Sequence, residues 1–301
     1  MLIGHHESHD NRRQKNPVGM KCVTMVLPVF LPVLLFSILT SVSISSEAAN
    51  ESQQRDKNIE ELMVLSGIDA FIKQLPALVN AGYAILEQSP QVLTAEQFKE
   101  VERVISTVFA YESLRTELVR QFKKHYDALR FRQVAELFHS PLAQRMTEYE
   151  QALKTPQATE SLTQYSNMLE KKPPPQIRVD YVAQLDNASY STQLTLLLQM
   201  HIIKNILLAA STSSDNDKAL SRVEINATLE AVNKKISQQI HELVLVSFLY
   251  TYRDVSNTDL QQYINFYNND NLQWFLKLYI SSMEKILNSV PVNIAVLLRD
   301  K

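Results

Sequence analysis

Glu136 and His139 stand i, i+3, the spacing with which carboxylate bundles put two metal ligands on one helix face. A dinuclear site of that kind needs a second Glu-x-x-His and two more carboxylates, and the sequence holds no second copy; the pair reads as a surface pair. His241-Glu242 begins a zinc-protease pattern, but Leu245 occupies the place of the second histidine. Asp215-Asn-Asp217 opens like a calcium loop and lacks the glycine and terminal glutamate that complete one. His139-Ser140 and His125 offer a base and a hydroxyl, yet nothing nearby announces the buried orienting acid or the oxyanion hole of a hydrolase. His201 lies among apolar residues and reads as a hydrogen-bonded core or groove histidine rather than a general base. The chain is accordingly read as a protein that is not an enzyme, with no catalytic, cofactor-binding or metal residue assigned and no cofactor.

The elements that must carry these residues are helices. The chain has 4 glycines, at Gly4, Gly19, Gly67 and Gly82, so the phosphate loops and nucleophile elbows that depend on glycine find no support. From Asn58 to Gln88 the apolar residues follow helical spacing, with Gly67, Pro76 and Gly82 expected to break the run into short helices. Thr94 to Gln97 is a capping box for a helix carrying Phe98, Val101 and Val108 inward. Further helices are expected over Glu112–Tyr126, from Asp127 to Ser140, and from Pro141 through Leu153, with Ser140 as N-cap and Pro141 as first helical residue. A short polar helix around Ser161–Leu169 leads to Lys171-Lys-Pro-Pro-Pro175, a semi-rigid polyproline spacer.

Beyond the prolines, Leu194–Ala210 is apolar nearly all round and is expected to be the central helix of its unit. A long helix from Ser221 to Tyr252 should turn Val223, Leu229, Val232, Ile236, Ile240, Leu243 and Val244 inward. Ser256 to Asp259 forms another capping box, and the last long helix, with Trp274, Phe275, Leu278, Met283, Ile286 and Leu287, should end before Pro291, leaving an apolar tail that docks on the body. Core packing accounts for most of the late aromatics; exposed Tyr252 or Trp274 would be the first candidates for a partner surface.

The N-terminal region gives an address. No residue from Val23 to Ile44 is charged, Lys21 precedes the run, and Ser46-Glu47-Ala48 is a small-x-small cleavage pattern. Residues 1–48 are read as a signal peptide cleaved after Ala48, with Met20 as a plausible true start and the body in the periplasm. The alternative is an uncleaved anchor at residues 23–44, with the body on the same side. Cys22, the single cysteine, lies in the removed segment, so the mature chain has no disulfide. The formal net charge is −2 without a block of like sign, which argues against nucleic acid as a partner.

The two halves look alike. Setting Phe131, Val134, Ala135, Leu137, Phe138, Met146 and Tyr149 over Leu260, Tyr263, Ile264, Phe266, Tyr267, Phe275 and Leu278 keeps apolar on apolar without a gap, with Gln133/Gln262 and Gln144/Gln273 identical. Leu137-Phe-His-Ser-Pro-Leu-Ala-Gln-Arg145 resembles the FYxSPxGxK signature of a helical domain of unknown function found in secreted proteobacterial proteins. Ala143 and Arg145 replace its glycine and lysine, and in the second half Phe266-Tyr267 repeats the aromatic start while Asn269-Asp270 replaces Ser-Pro. The resemblance implies an all-helical fold and an envelope location, and brings no assigned activity. Physically the signature is a helix corner, in which Ser140 caps, Pro141 starts the next helix and Ala143 permits close approach.

The sequence thus predicts an all-α protein of two related multi-helix domains, residues 55–156 and 178–301, joined by a linker over 157–177. It is read as a non-catalytic binding module whose partner is an envelope protein. The alternative is a carrier of an apolar small molecule or lipid held beside Leu194–Ala210, and the least favoured reading is a hydrolase or metal enzyme.

Overall fold

The structure is a computed structural model that describes residues 47–87, 109–152, 156–212 and 221–299, together with positions 99, 102, 103, 106 and 107. The apolar N-terminal run, Cys22, the Thr94–Gln97 box and Asp215–Asp217 lie outside the described residues. Among the described residues there are eleven helices and no strand. In chain order they are α1 (Glu47–Leu65), α2 (Ile68–Glu87), α3 (Tyr111–Lys124), α4 (Ala128–Phe138), α5 (Pro141–Gln151), α6 (Pro156–Lys171), α7 (Gln176–Ser189), α8 (Ser191–Thr212), α9 (Arg222–Thr251), α10 (Asn257–Tyr267) and α11 (Asp270–Arg299). None of them is long and apolar enough to cross a membrane.

The caps behave as polar residues at helix starts should. Asp127 accepts the backbone N–H groups of Leu129 and Arg130, both at 3.0 Å, and Ser140 accepts that of Ala143 at 3.3 Å with Pro141 at the first helical position. Ser256 accepts from Asp259 at 3.0 Å, and Asn269 from Asn271 at 3.0 Å. The reciprocal capping box occurs at Ser221 and Glu224.

Several boundaries depart from the sequence expectation. Gly67 breaks its run, with φ 70, but α2 continues through Pro76 and Gly82. Ile72, Leu75 and Val79 are almost fully buried around Pro76, and that burial carries the helix through a residue costing about 3 kcal/mol in a helix interior. Helix α11 likewise runs past Pro291 to Arg299. Val223 is 78% exposed in the first turn of α9 instead of facing inward. Helix α7 had no clear periodic signature, because Asp186 sits in its buried stripe between Val182 and Leu185 on one side and Ala188 on the other. It stops at Tyr190, whose φ of 58 is left-handed without being glycine, a conformation that costs roughly 1–2 kcal/mol. Its hydroxyl donates to Gln273 Oε1 at 2.7 Å, and its carbonyl starts α8 by accepting the N–H of Leu194.

Packing repeats along the chain. Helix α1 lies on α4, α3 and α2, and α2 lies on α3; correspondingly α7 lies on α10, α9 and α8, and α8 lies on α9. The C-terminal helices then cross over: α11 packs on α3 and α4, while α5 packs on α10. Phe122 and Phe131 therefore meet Phe275 at ring-centroid distances of 5.6 and 5.9 Å, and Phe138 meets Phe266 at 5.5 Å. The buried apolar side chains of both halves form one continuous cluster. Each of Phe122, Phe131 and Phe275 is at most 1% exposed, and such a side chain contributes about 2–3 kcal/mol through burial.

Candidate functional site

The corner between α4 and α5 carries the residues that drew attention first. Glu136 and His139 are both exposed, and the His139 ring reaches away to Glu61 of α1, with Nε2 3.2 Å from Oε1. Ser140 Oγ is engaged as the cap of α5, and Arg145 donates to Asp259 of α10 at 3.0 Å. Ala143 is 2% exposed, so the small residue lies against the packed interior. His125 closes α3 at the other end of α4, and an 11-residue helix separates the two ends by about 16 Å, so His125 and the His139-Ser140 pair do not converge. Among the described residues no three His, Cys, Asp or Glu side chains are grouped so as to hold a metal ion.

Two constellations were not legible as sites. The first joins α7, α8 and α9. Asp186, with a side chain only 4% exposed, accepts the N–H of Thr192 at 2.8 Å and its hydroxyl at 2.7 Å, and its Oδ2 lies 3.2 Å from His241 Nδ1. This supplies the buried orienting acid that the sequence did not announce. The hydroxyl, however, lies on the Asp186 side of the ring, 3.5 Å from Nδ1, whereas a triad needs it at Nε2. Asp186 acts as the cap of α8, reaching across the left-handed turn, and His241 ties α9 to that cap. Glu242, next in sequence, turns to Gln238 instead.

The corresponding junction of the first half is charged. Asp69, in the first turn of α2, accepts from Tyr111 at 2.7 Å and Arg115 at 3.0 Å, and pairs with Lys73 at 2.9 Å. Burial disfavours its charge, but these hydrogen bonds outweigh burial and hold the carboxyl below the ordinary aspartate range.

The second constellation is a buried carboxylate among tyrosines. Glu150 of α5, 3% exposed, accepts the hydroxyls of Tyr252 at 2.6 Å and Tyr263 at 2.9 Å. Burial first, and then the negative charge of Glu150, push Tyr252, Tyr263 and Tyr267 well above the ordinary phenol range. Arg178 donates to the carbonyl of Tyr252 and, at 2.9 Å, to Asn257. The expectation that Tyr252 is exposed is thus corrected: it is 0% exposed and hydrogen-bonded inside the molecule. Trp274 is partly buried, edge-on to Phe131 and beneath the Arg130 guanidinium. Ala143, Met146 and Glu150 fall at i, i+3 and i+7, so the inward register of Glu150 was written in the sequence.

Helix α8 is the least uniform element. Leu198, Ile202 and Ile206 are buried, but Leu194, Leu196, Leu197 and Ile203 are covered only in part, so the expected central helix keeps an incompletely covered apolar side. His201 is tied at both ring nitrogens, with Nδ1 2.8 Å from the Leu197 carbonyl and Nε2 3.2 Å from Asn288 Oδ1.

Compared with known proteins, the chain matches no family model, and no curated protein or solved structure is significantly similar to it.

Proposed function

We propose that this chain is an exported, non-catalytic binding module of the cell envelope, built from two related helical units. In this reading residues 1–48 are the leader, cleaved after Ala48 with translation starting at Met1 or Met20, and the body is periplasmic. The anchored form, held by residues 23–44, is the alternative. Residues 55–156 and 178–301 are the two units, and Pro173–Pro175 is the spacer between them. Support for the duplication comes from α4 and α10, each 11 residues long, with caps at Asp127 and Ser256 and following caps at Ser140 and Asn269 that coincide without a gap. The left-handed residues Gly67 and Tyr190 likewise occupy the junction between the first two helices of their units. The resemblance to the secreted helical domain adds the envelope location.

The observation that carries the binding function is α8, whose apolar sequence exceeds what the fold covers: Leu194, Leu196 and Leu197 remain partly exposed although they belong to the edge of the core. A protein partner of the envelope is the leading occupant, and the same observation favours an apolar small molecule as the second reading. Nucleic acid is not expected. Native mass spectrometry of the protein purified from its host envelope tests this. A retained partner or lipid agrees with binding; a bare mass together with a measurable turnover abolished by the combined Glu136→Ala, His139→Ala and Ser140→Ala substitutions refutes it.

A further inference from the structure

The single tryptophan of the chain stands at a corner that the packing leaves open. Trp274 of α11 is partly buried, edge-on to Phe131, with the Arg130 guanidinium 5.2 Å from its ring centroid. Arg130 is exposed, and its one ion pair among the described residues is a loose one of 3.9 Å to Asp127, which already caps α4. Next to it Leu129 is 54% exposed in the first turn of α4, with Arg132 one turn on at i, i+3. Lys124 ends α3 on the other side of the short turn, and Lys277 stands at i, i+3 from Trp274 on α11. Lys124, Arg132 and Lys277 are exposed, and among the described residues none of them forms an ion pair. Glu117, the carboxylate that feels Lys124, is held by Arg120. The corner also sorts its charges by end. Gln133 accepts from Asn271 at 3.0 Å while Arg130 lies over Trp274, so α4 and α11 run antiparallel. Asp270 therefore lies with Glu136 toward the far end of α4, Glu136 being about 9 Å along the axis from Arg130, and the cations hold the near end.

We infer that this corner docks the protein on an anionic phospholipid surface, with Leu129 and Trp274 at the headgroup boundary and Lys124, Arg130, Arg132 and Lys277 facing the lipid phosphates. Tryptophan favours the membrane–water boundary because its ring is apolar and its N–H is not, and flanking lysines and arginines add attraction to anionic headgroups. The contact is peripheral, since none of the described helices is long and apolar enough to cross a membrane. An acidic protein would match the charge equally. Leu129, however, stands out from a helix start, and a protruding apolar side chain needs a pocket on a protein partner but none in a bilayer. The surface is built on α3, α4 and α11, uses no residue of α8, and does not depend on the reading of α8 as a binding element.

Because Trp274 is the only tryptophan, its fluorescence reports on this corner wherever else the chain touches a vesicle. The test mixes the protein purified from its host envelope with vesicles of phosphatidylglycerol carrying brominated acyl chains and follows the quenching of that emission. The expected quenching is about threefold or more above that in brominated phosphatidylcholine vesicles, and it declines as salt is raised. The double variant Leu129→Glu, Arg132→Glu should lose most of it, by about threefold or more, with an unchanged melting temperature because both side chains are exposed. Should that variant fail to fold, Lys277→Glu takes its place and must show a loss in the same direction. Equal quenching by the two lipids, no quenching by either, or quenching that the substitutions leave intact overturns the assignment. A change in emission on adding polyglutamate, with no response to vesicles, also overturns it and assigns the corner to an acidic protein. Each of these results leaves the α8 reading to be judged separately, by what the purified protein retains.

Discussion

Glu150 on α5 and Tyr279 on α11 are both buried polar side chains on helices that pack across the molecule, yet they meet opposite fates. Each sits on a helix that crosses over to pack on the other half. Glu150 finds two tyrosine hydroxyls waiting for it, while Tyr279, 4% exposed, has a hydroxyl without a partner among the described residues. The lesson is that apolar contact alone suffices to dock such a helix, as Phe275 does between Phe122 and Phe131. The polar nest around Glu150 adds directionality: it admits a carboxylate at one depth and one angle, and penalises any slip.

The sharpest way to break this contrast is Glu150→Ala, which strands the hydroxyls of Tyr252 and Tyr263 in the interior. Urea unfolding should show a loss of about 3 kcal/mol. Combining Glu150→Leu with Tyr252→Phe and Tyr263→Phe removes both sides of the nest, and stability should return to within about 1 kcal/mol of the parent. Recovery failing in the triple variant would mean that the carboxylate has a role beyond satisfying those hydroxyls.

The pH dependence follows next. Folded Tyr252, Tyr263 and Tyr267 hold their protons far above 10.0, the ordinary tyrosine value, whereas in the unfolded chain they ionise near it. The folded state therefore binds more protons above pH 10, so the contribution of the nest is whole below that pH and declines as pH rises through it. Denaturation midpoints measured from pH 8 to 11 should fall, and the fall should be shallower in the double variant Tyr252→Phe, Tyr263→Phe.

On the other side, Tyr279→Phe deletes a hydroxyl that nothing pairs and should be neutral or stabilising by up to about 1 kcal/mol, read from the melting temperature. A clear destabilisation would equate the two sites and erase the contrast. Smallest of all is Arg145→Ala. Its ion pair with Asp259 spans the two halves, but both side chains are substantially exposed, and a double-mutant cycle should assign the pair about 0.5 kcal/mol or less.

What the sequence made legible were features set by local chemistry. Asp127, Ser140 and Ser256 announce helix starts because a short polar side chain satisfies nearby N–H groups whatever surrounds it. Helix α7 escaped because a carboxylate that caps a neighbouring helix interrupts its apolar stripe; the reason for Asp186 lies at Thr192 and His241, across a turn made by a tyrosine where glycine would have been the signal. Tyr252 looked like a surface aromatic because its partner, Glu150, is remote in sequence. Pro76 and Pro291 looked like stops because local cost is visible in a sequence and compensating burial is not. Of the candidate sites, the Glu136/His139 corner was legible in the sequence, and in the fold the His139 ring turns to Glu61 and Ser140 caps α5.

The crossing of α11 onto α3 and α4 has a consequence for how the chain comes into being. Synthesis proceeds from the N-terminus, so α3 and α4 emerge long before the helix that covers them. Until Phe275 arrives, Phe122 and Phe131 lack one wall of their enclosure. The early half cannot be finished when it is made, and its completion waits on α11, which follows α4 only after six intervening helices.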